Sequence, residues 1–311
     1  MSFDRTDAHV ETRLTNLAVT FKPVGMIGEM LFPTIPVSKE SDKFVTFGAE
    51  NMDLVDVQRG YGADSNFIHT SLSDTTYQCE EHSISGALDD RIIRNSDPII
   101  KPKARLSYTL RNVLETRREY DIVTKVTSTS NVTNYTDLST SSLGQWNDDS
   151  SEPFQAVDLG VVSVRDAIGI LPNTMMISHN AFLKLKEHPA VIAKLGSNER
   201  GVIRADRRSP ILEDLFQIER VFVGSSAYNA AKKNATKDLT QIWGTTVLIA
   251  YVAPNPGLET PSFGYGFQSQ NYKVTSYRNN DKKSDIINVA DIRDDKLCNA
   301  TAGYLLTNVY A

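Results

Sequence analysis

The sequence predicts an α+β protein organised around one long helix, and three stretches carry that prediction. Residues 97–126 read as a single amphipathic helix. Residues 43–82 read as two strands joined by a long polar loop. Residues 154–253 alternate helical and strand patterns, and an extended tail follows them.

The helix opens at Asn95-Ser96-Asp97-Pro98, where Ser96 or Asp97 can cap free N–H groups and Pro98 lacks an N–H to leave unpaired. Pro102 requires either a loose first turn or a regular helix that begins just before Ala104. Leu106, Leu110, Val113, Leu114, Tyr120 and Val123 form the apolar stripe. Arg105, Arg111, Glu115, Arg118, Glu119 and Lys125 fall mostly off it, and Asp121 and Lys125 stand at a favourable i,i+4 spacing. A Thr/Ser/Asn run at 127–131 ends the helix. At 1.5 Å per residue it is a spine of roughly 30–40 Å.

Residues 1–42 read as an N-terminal arm. A short helix or strand is expected near 14–19, then an apolar turn at 27–32 stopped by Pro33, then an extended exit through Pro36 and Val37. Lys43-Phe44-Val45-Thr46-Phe47 alternates as a strand does, and 75–82 reads as the returning strand. Residues 48–73 between them carry Gly48, Gly60 and Gly62 with Asp53, Asp56 and Asp64 and no apolar period. A compact monomer has little use for so long a projection, whereas a protein that reaches to a neighbour has. Arg59 and Tyr61, near the tip, are the candidate touching residues.

After the spine, 133–153 is Ser/Thr/Asn/Asp-rich around Leu143 and Trp146, where a short ordered turn is expected. Val157, Val161, Val164 and Ile168 mark a helix over 156–171, and 174–178 is a buried strand. His179 or Asn180 is expected to cap the helix over 181–187, and Pro189 opens a further turn through Leu195. Residues 196–209 form a polar loop with Arg200, Arg204, Arg207 and Arg208 beside Glu199 and Asp206. That loop reads either as a solvated surface or as charge pairing with another subunit. A short helix (211–218), a strand (220–224), a helical turn (225–234) and the most apolar strand (246–252) follow. The tail is extended at 261–267, 272–277 and 284–289, with a last strand at 305–309.

The 311 residues, 40% hydrophobic and 23% charged, suit two domains or one domain with extensions. A net charge of −5 without a long basic run argues against gripping nucleic acid, though not against enclosing it. No stretch is long and apolar enough for a membrane span, and residues 1–5 lack a signal-peptide core. Cys79 and Cys298 are expected as reduced thiols.

Catalytic patterns are absent from the sequence: no phosphate loop, no GxGxxG after a strand, no HExxH. His9, His69, His82, His179 and His188 lack metal-ligand spacing and read as capping or surface residues. Gly224-Ser225-Ser226-Ala227 sits where a nucleophile elbow would but lacks GxSxG. The doublets Asp89-Asp90, Asp148-Asp149 and Asp294-Asp295 read as solvated. No catalytic, cofactor-binding or metal residue is assigned, and no enzyme activity or cofactor is expected.

Several passages in order resemble one family. They are Tyr77-Gln78-Cys79-Glu80-Glu81-His82; Leu88-Asp89-Asp90-Arg91 with Asn95-Ser96-Asp97-Pro98; the spine end Arg117-Arg118-Glu119-Tyr120-Asp121; Leu171-Pro172-Asn173-Thr174-Met175-Met176-Ile177 with His188-Pro189-Ala190-Val191; and Ile242-Trp243-Gly244 with the strand at 248–252 and Pro261-Ser262-Phe263-Gly264-Tyr265-Gly266-Phe267. Together they resemble the tailed-phage major capsid proteins of the Hong Kong 97-type fold, in the lambda-like major head protein branch, from about residue 14 to the end.

The resemblance implies an N-terminal arm (1–42), an extended loop (43–82), a peripheral domain (83–153) with the spine helix 97–126, an axial domain (154–260) and a return to the peripheral domain (261–311). It implies a virion protein, assembled in the host cytoplasm as pentamers and hexamers of itself. The shell is icosahedral and encloses double-stranded DNA without sequence-specific binding and without a membrane. The further partners it implies are a portal, a scaffolding protein and a decoration protein. Nothing here matches the lysine–asparagine crosslinking of some relatives. The competing readings are an encapsulin-like compartment shell, a tail-tube subunit and, in a different class, a small hydrolase.

Overall fold

Burial along the chain decides which segments become the framework. The computed structural model describes residues 9–10, 25–46, 57–59, 61–62, 64, 73–96, 101–199, 207–231, 235–257 and 260–311. In chain order the elements are β1 (His9–Val10), a 3₁₀ turn (Gly28–Met30), β2 (Thr34–Pro36), β3 (Ser41–Thr46), β4 (Ser73–Gln78), β5 (Glu80–Asp89), α1 (Asp90–Arg94) and α2 (Pro102–Val126). Then come β6 (Tyr135–Asp137), α3 (Pro153–Ile168), β7 (Thr174–Ser178), α4 (His179–Glu187), α5 (Pro189–Glu199), α6 (Pro210–Phe216) and β8 (Arg220–Gly224). β9 (Ala227–Asn229), β10 (Leu239–Gln241), β11 (Val247–Ala250), β12 (Gly264–Asn279), β13 (Ser284–Leu297), a 3₁₀ turn (Ala300–Ala302) and β14 (Gly303–Thr307) complete it.

The spine, α2, starts at Pro102, whose missing N–H costs nothing in the first turn. The expected start at 97 falls on residues outside the described ones. The spine ends where Thr127 donates both its N–H and its hydroxyl to the Val123 carbonyl, at 2.9 and 2.7 Å. Its buried face carries Ser107, Leu110, Arg111, Leu114, Glu115, Glu119, Ile122, Val123 and Val126. Two expectations are corrected. Val113 is 46% exposed, because it lies to one side of that line. Asp121 pairs with Arg117 at 2.8 Å rather than with Lys125, whose ammonium reaches across to the Asp295 carbonyl at 2.6 Å.

Among the described residues there are two five-stranded sheets and two hairpins. The first sheet runs β1-β12-β13-β5, with β2 parallel to β12, and the spine lies against β13 and β5. The tail segments at 261–267 and 272–277 are parts of one strand, β12, which absorbs register shifts between Gln268 and Lys273 as bulges. The second sheet runs β6-β14-β11-β7-β8 and is covered by α3 on β14 and β11. β7 and β8 are parallel, so α4, α5 and α6 form the crossover between them. Their strands are buried along their length, as covered sheets require.

The tail therefore divides. Strands β12 and β13 join the first sheet, but β14 pairs with β11 and β6 in the second. Residues Gly303 to Leu306 are buried on both faces, which suits a central position in a covered sheet and not an outer strand. Residues 227–229 are a strand paired with β10, not a helical turn. Ser178, rather than His179 or Asn180, caps α4 by accepting from the Ala181 N–H. The apolar turn before Pro33 forms as expected, with Ile27, Leu31 and Phe32 fully buried. The polar segment at 133–153 orders around Trp146, 1% exposed.

Candidate functional site

The hairpin of β3 and β4 is seated on β12 of the first sheet. β3 and β4 pair antiparallel from Ser41↔Gln78 to Thr46↔Ser73. That register puts Phe44 and Tyr77 on one face, and both are buried on Phe267 of β12. The ring centroids lie 5.0 Å (Phe44) and 4.4 Å (Tyr77) from Phe267, and Tyr265 stands 6.3 Å away on the same ring. The Gln78 N–H donates to the Asp294 carboxylate at 3.1 Å, Cys79 N–H to the Glu40 carbonyl at 2.7 Å, and the Lys296 ammonium to the Thr76 carbonyl. Beyond the hairpin the described residues 57–59, 61–62 and 64 are exposed, with Val57 at 90% and Tyr61 fully so. Arg59 and Tyr61 are thus both exposed.

Behind the hairpin, a buried polar junction joins the chain's parts. Glu119 is 3% exposed, and its carboxylate accepts from the backbone N–H groups of Ile27 (3.0 Å) and Gly28 (2.7 Å). It also accepts from Trp243 Nε1 (2.7 Å) and the Ser226 hydroxyl (3.4 Å). One side chain of the spine therefore fixes the N-terminal turn and the loops around β9 to β11. Burial pushes the Glu119 pKa above the usual carboxylate value, and these donors pull against that push. Gly28 permits the approach: a Cβ there would stand 2.6 Å from Glu119 Oε2.

The preceding residue, Arg118, grips Asp295 of β13 through two bonds of 2.8 and 2.7 Å. Arg293 sits 3.5 Å from the same carboxylate, pairs with Asp291 and donates to the Tyr272 hydroxyl at 3.0 Å. Arg111 lies 3.8 Å over the Tyr272 ring and bonds Glu115 at 2.9 Å. Burial raises the Asp295 pKa, but Arg118, then Arg293 and Lys125, outweigh it and hold the group below the usual value. For Asp291 burial wins, and its pKa rises. The Asp294-Asp295 doublet, expected to be solvated, thus has one member inside the fold. The cavity between Arg118, Glu119 and Arg207 is about 20 Å³, room for one water and no substrate.

The arginine-rich loop divides. Arg200 and Arg204 lie outside the described residues. Arg207 donates to the Met26 carbonyl at 2.9 and 2.6 Å and to Glu29 at 2.9 Å. Arg208 pairs with Glu213 and donates to the Glu219 carbonyl at 2.9 Å. Both turn toward their own chain, because each meets a carboxylate and a free carbonyl within it.

The serine–histidine pair at Ser151 and His188 does not make a nucleophile. Ala190 N–H donates to His188 Nδ1 at 3.2 Å, which puts the ring proton on Nε2. Nε2 then donates toward the Asp148 carbonyl and Ser151 at 3.1 and 3.0 Å, so it cannot accept the serine proton. His188 caps α5. Ser226, in the elbow-like tetrapeptide, is buried on Glu119. Among the described residues no cluster of His, Cys, Asp or Glu could hold a metal. Cys79 and Cys298 are free thiols, and burial pushes Cys298 up to about 12.

Local sequence pattern puts Glu119 off the apolar stripe, Asp295 in a solvated doublet and Phe267 among the passages that carry the resemblance, and gives none of them its buried role. A signal existed for Glu119, which shares helical spacing with Ile122, Val123 and Val126. Asp295 alternates with Val289, Asp291 and Arg293 along a strand, but nothing local marks an aspartate as inward-facing.

A long helix across a twisted sheet, a second covered α/β sheet and a projecting hairpin define the Hong Kong 97-type capsid fold of tailed phages. Two curated relatives of this chain are named major capsid proteins. The major capsid protein of Burkholderia phage BcepMu is 28% identical over 306 residues, 96% of each chain. A phage-related protein from Bordetella bronchiseptica RB50, solved by crystallography, is 25% identical with a TM-score of 0.74, covering 97% of this chain and 98% of its own. The capsid of cyanophage P-SCSP1u has a TM-score of 0.61 over 93% of this chain and 89% of its own; at 9% identity it speaks for the fold alone. No family model matches the chain.

Proposed function

We propose that this chain is the major capsid subunit of a tailed double-stranded DNA phage. It assembles as pentamers and hexamers into an icosahedral shell that encloses the genome. The observation that carries this is the end-to-end similarity to the BcepMu major capsid protein, 96% of both chains. Capsid relatives point to a structural role and not to catalysis. In this reading the first sheet with the spine is the peripheral domain, the second sheet with its helices is the axial domain, and the hairpin lies on an adjacent copy. Arg59 and Tyr61 are the contact residues we carry forward. A net charge of −5 suits a wall that contains DNA without reading it. A portal, a scaffolding protein and a decoration protein are its further partners, and assembly takes place in the host cytoplasm.

Electron microscopy of the purified protein at high concentration, alone and with a co-expressed neighbouring gene product, tests the reading. Capsomers or closed shells are expected. Sedimentation as a monomer under every condition, scaffold included, would overturn it.

A further inference from the structure

The geometry points to the Phe267 aromatic stack as the device that sets the direction of the projecting hairpin, with Phe44 and Tyr77 as positioning residues for the contact with a neighbouring copy. This rests on the self-assembly reading above. A two-stranded hairpin has too little buried surface to hold its own orientation. The hairpin's own ion pairs, Lys39–Asp42 (2.9 Å) and Lys43–Asp74 (3.3 Å), are exposed and lie within its own strands or their approach, so they fix nothing relative to the body. What crosses to the body is concentrated at the base. Phe44 (3% exposed) and Tyr77 (4%) flank Phe267 (0%), which belongs to β12 and is itself braced by Ile35 and Tyr265.

Tyr77 lies nearly parallel to Phe267, at 14° between planes, while Phe44 meets it at 42°. Two rings on one ring at different tilts leave the hairpin one seating. Polar bonds to the body hold β4 through Gln78 to Asp294 and Lys296 to Thr76, while on the β3 side the Val37 N–H donates to the Gln268 carbonyl at 2.9 Å, ahead of the paired strands. Phe44 stands at the fourth of the six paired positions, so the seating sets the direction of the strands up to their outer two pairs, from which residues 47–72 continue.

The test uses the full chain with Phe267→Leu and, on the hairpin side, Phe44→Leu, which leaves β12 intact should the first variant fold poorly. In the unassembled subunit, hydrogen exchange at residues 74–78 is expected to quicken at least tenfold. The unfolding midpoint read from Trp146 and Trp243, both in the other core, measures any general loss of stability from the smaller buried side chain, and the quickening at 74–78 should exceed what that loss accounts for. In assembly, the variants should yield shells of altered or scattered diameter, or open sheets, where the parent chain yields one size. Unchanged exchange at the base would show that the stack does not hold the hairpin. Quickened exchange with shells of parental diameter would show that its direction does not govern the contact. Either result overturns the inference. Failure of the parent chain itself to form any particle falls on the self-assembly reading, while the exchange measurement still decides whether the stack holds the hairpin.

Discussion

Single residues carry unequal weight here, and burial explains why. Leu248 is 1% exposed at the centre of the second sheet, between partners Met176 and Leu305. Leu248→Ala should destabilise the chain by about 2–5 kcal/mol in urea unfolding. A change below about 0.5 kcal/mol would mean the strand is not packed as described. Glu119 acts through hydrogen bonds. Glu119→Ala leaves the N–H groups of Ile27, Gly28 and Trp243 buried without an acceptor, at about 1–3 kcal/mol each before relaxation. A large loss of stability with a shift in tryptophan emission is expected. An unchanged melting curve would show that the junction is dispensable.

The spine and the first sheet meet through two kinds of contact. Toward its N-terminal half, Leu106, Leu110 and Leu114 pack on Val274, Ile287 and Val289. Toward the C-terminal half the contact is ionic, through Arg118, Asp295 and Lys125. The folded Asp295 pKa lies below its ordinary value of 3.8, so its pairing stabilises the fold fully above 3.8 and is lost progressively below it, as pH falls through the lower folded value. Glu119 has the opposite sign: its raised pKa makes the fold gain stability as pH falls toward its ordinary 4.5. Relative to the intrinsic amide rate at each pH, hydrogen exchange along 115–126 should therefore hold or slow down to about pH 4.5 and quicken below about pH 4. Asp295→Asn should remove the quickening. If exchange in that variant follows the parent's pH curve, the ion pair is not what holds this half of the spine.

At the scale of the molecule, the loop at 48–73 has a composition that cannot offset its own ordering entropy. A neighbour that supplies the missing contacts should protect it. Limited proteolysis with mapped sites should cut this loop in free subunits and spare it in assembled particles. Equal cutting in both would remove the loop from the intersubunit contact. Tyr61→Ser, at the projection, should leave the subunit's unfolding midpoint unchanged and lower particle yield. A lower midpoint with normal yield would place Tyr61 in the subunit's own packing instead.

The sequence by itself determined the local elements and the apolar cores. Apolar residues at steps of three and four placed the spine, alternation at 43–47 placed the hairpin strand, and the apolar run at 246–252 placed the central strand. The ordered passages from Tyr77 to Phe267 also brought the capsid resemblance into view. Tertiary structure alone decided the partners. A charge on a helix reads as solvent-facing, because periodicity records polarity and not what lies opposite. Arg118 finds Asp295 across 177 positions and Glu119 finds Trp243 across 124, so no local window contains either pair. Sheet membership is equally non-local. β14 is apolar enough for either sheet, and it lies in the second because β11 and β6 offer it a register on both edges.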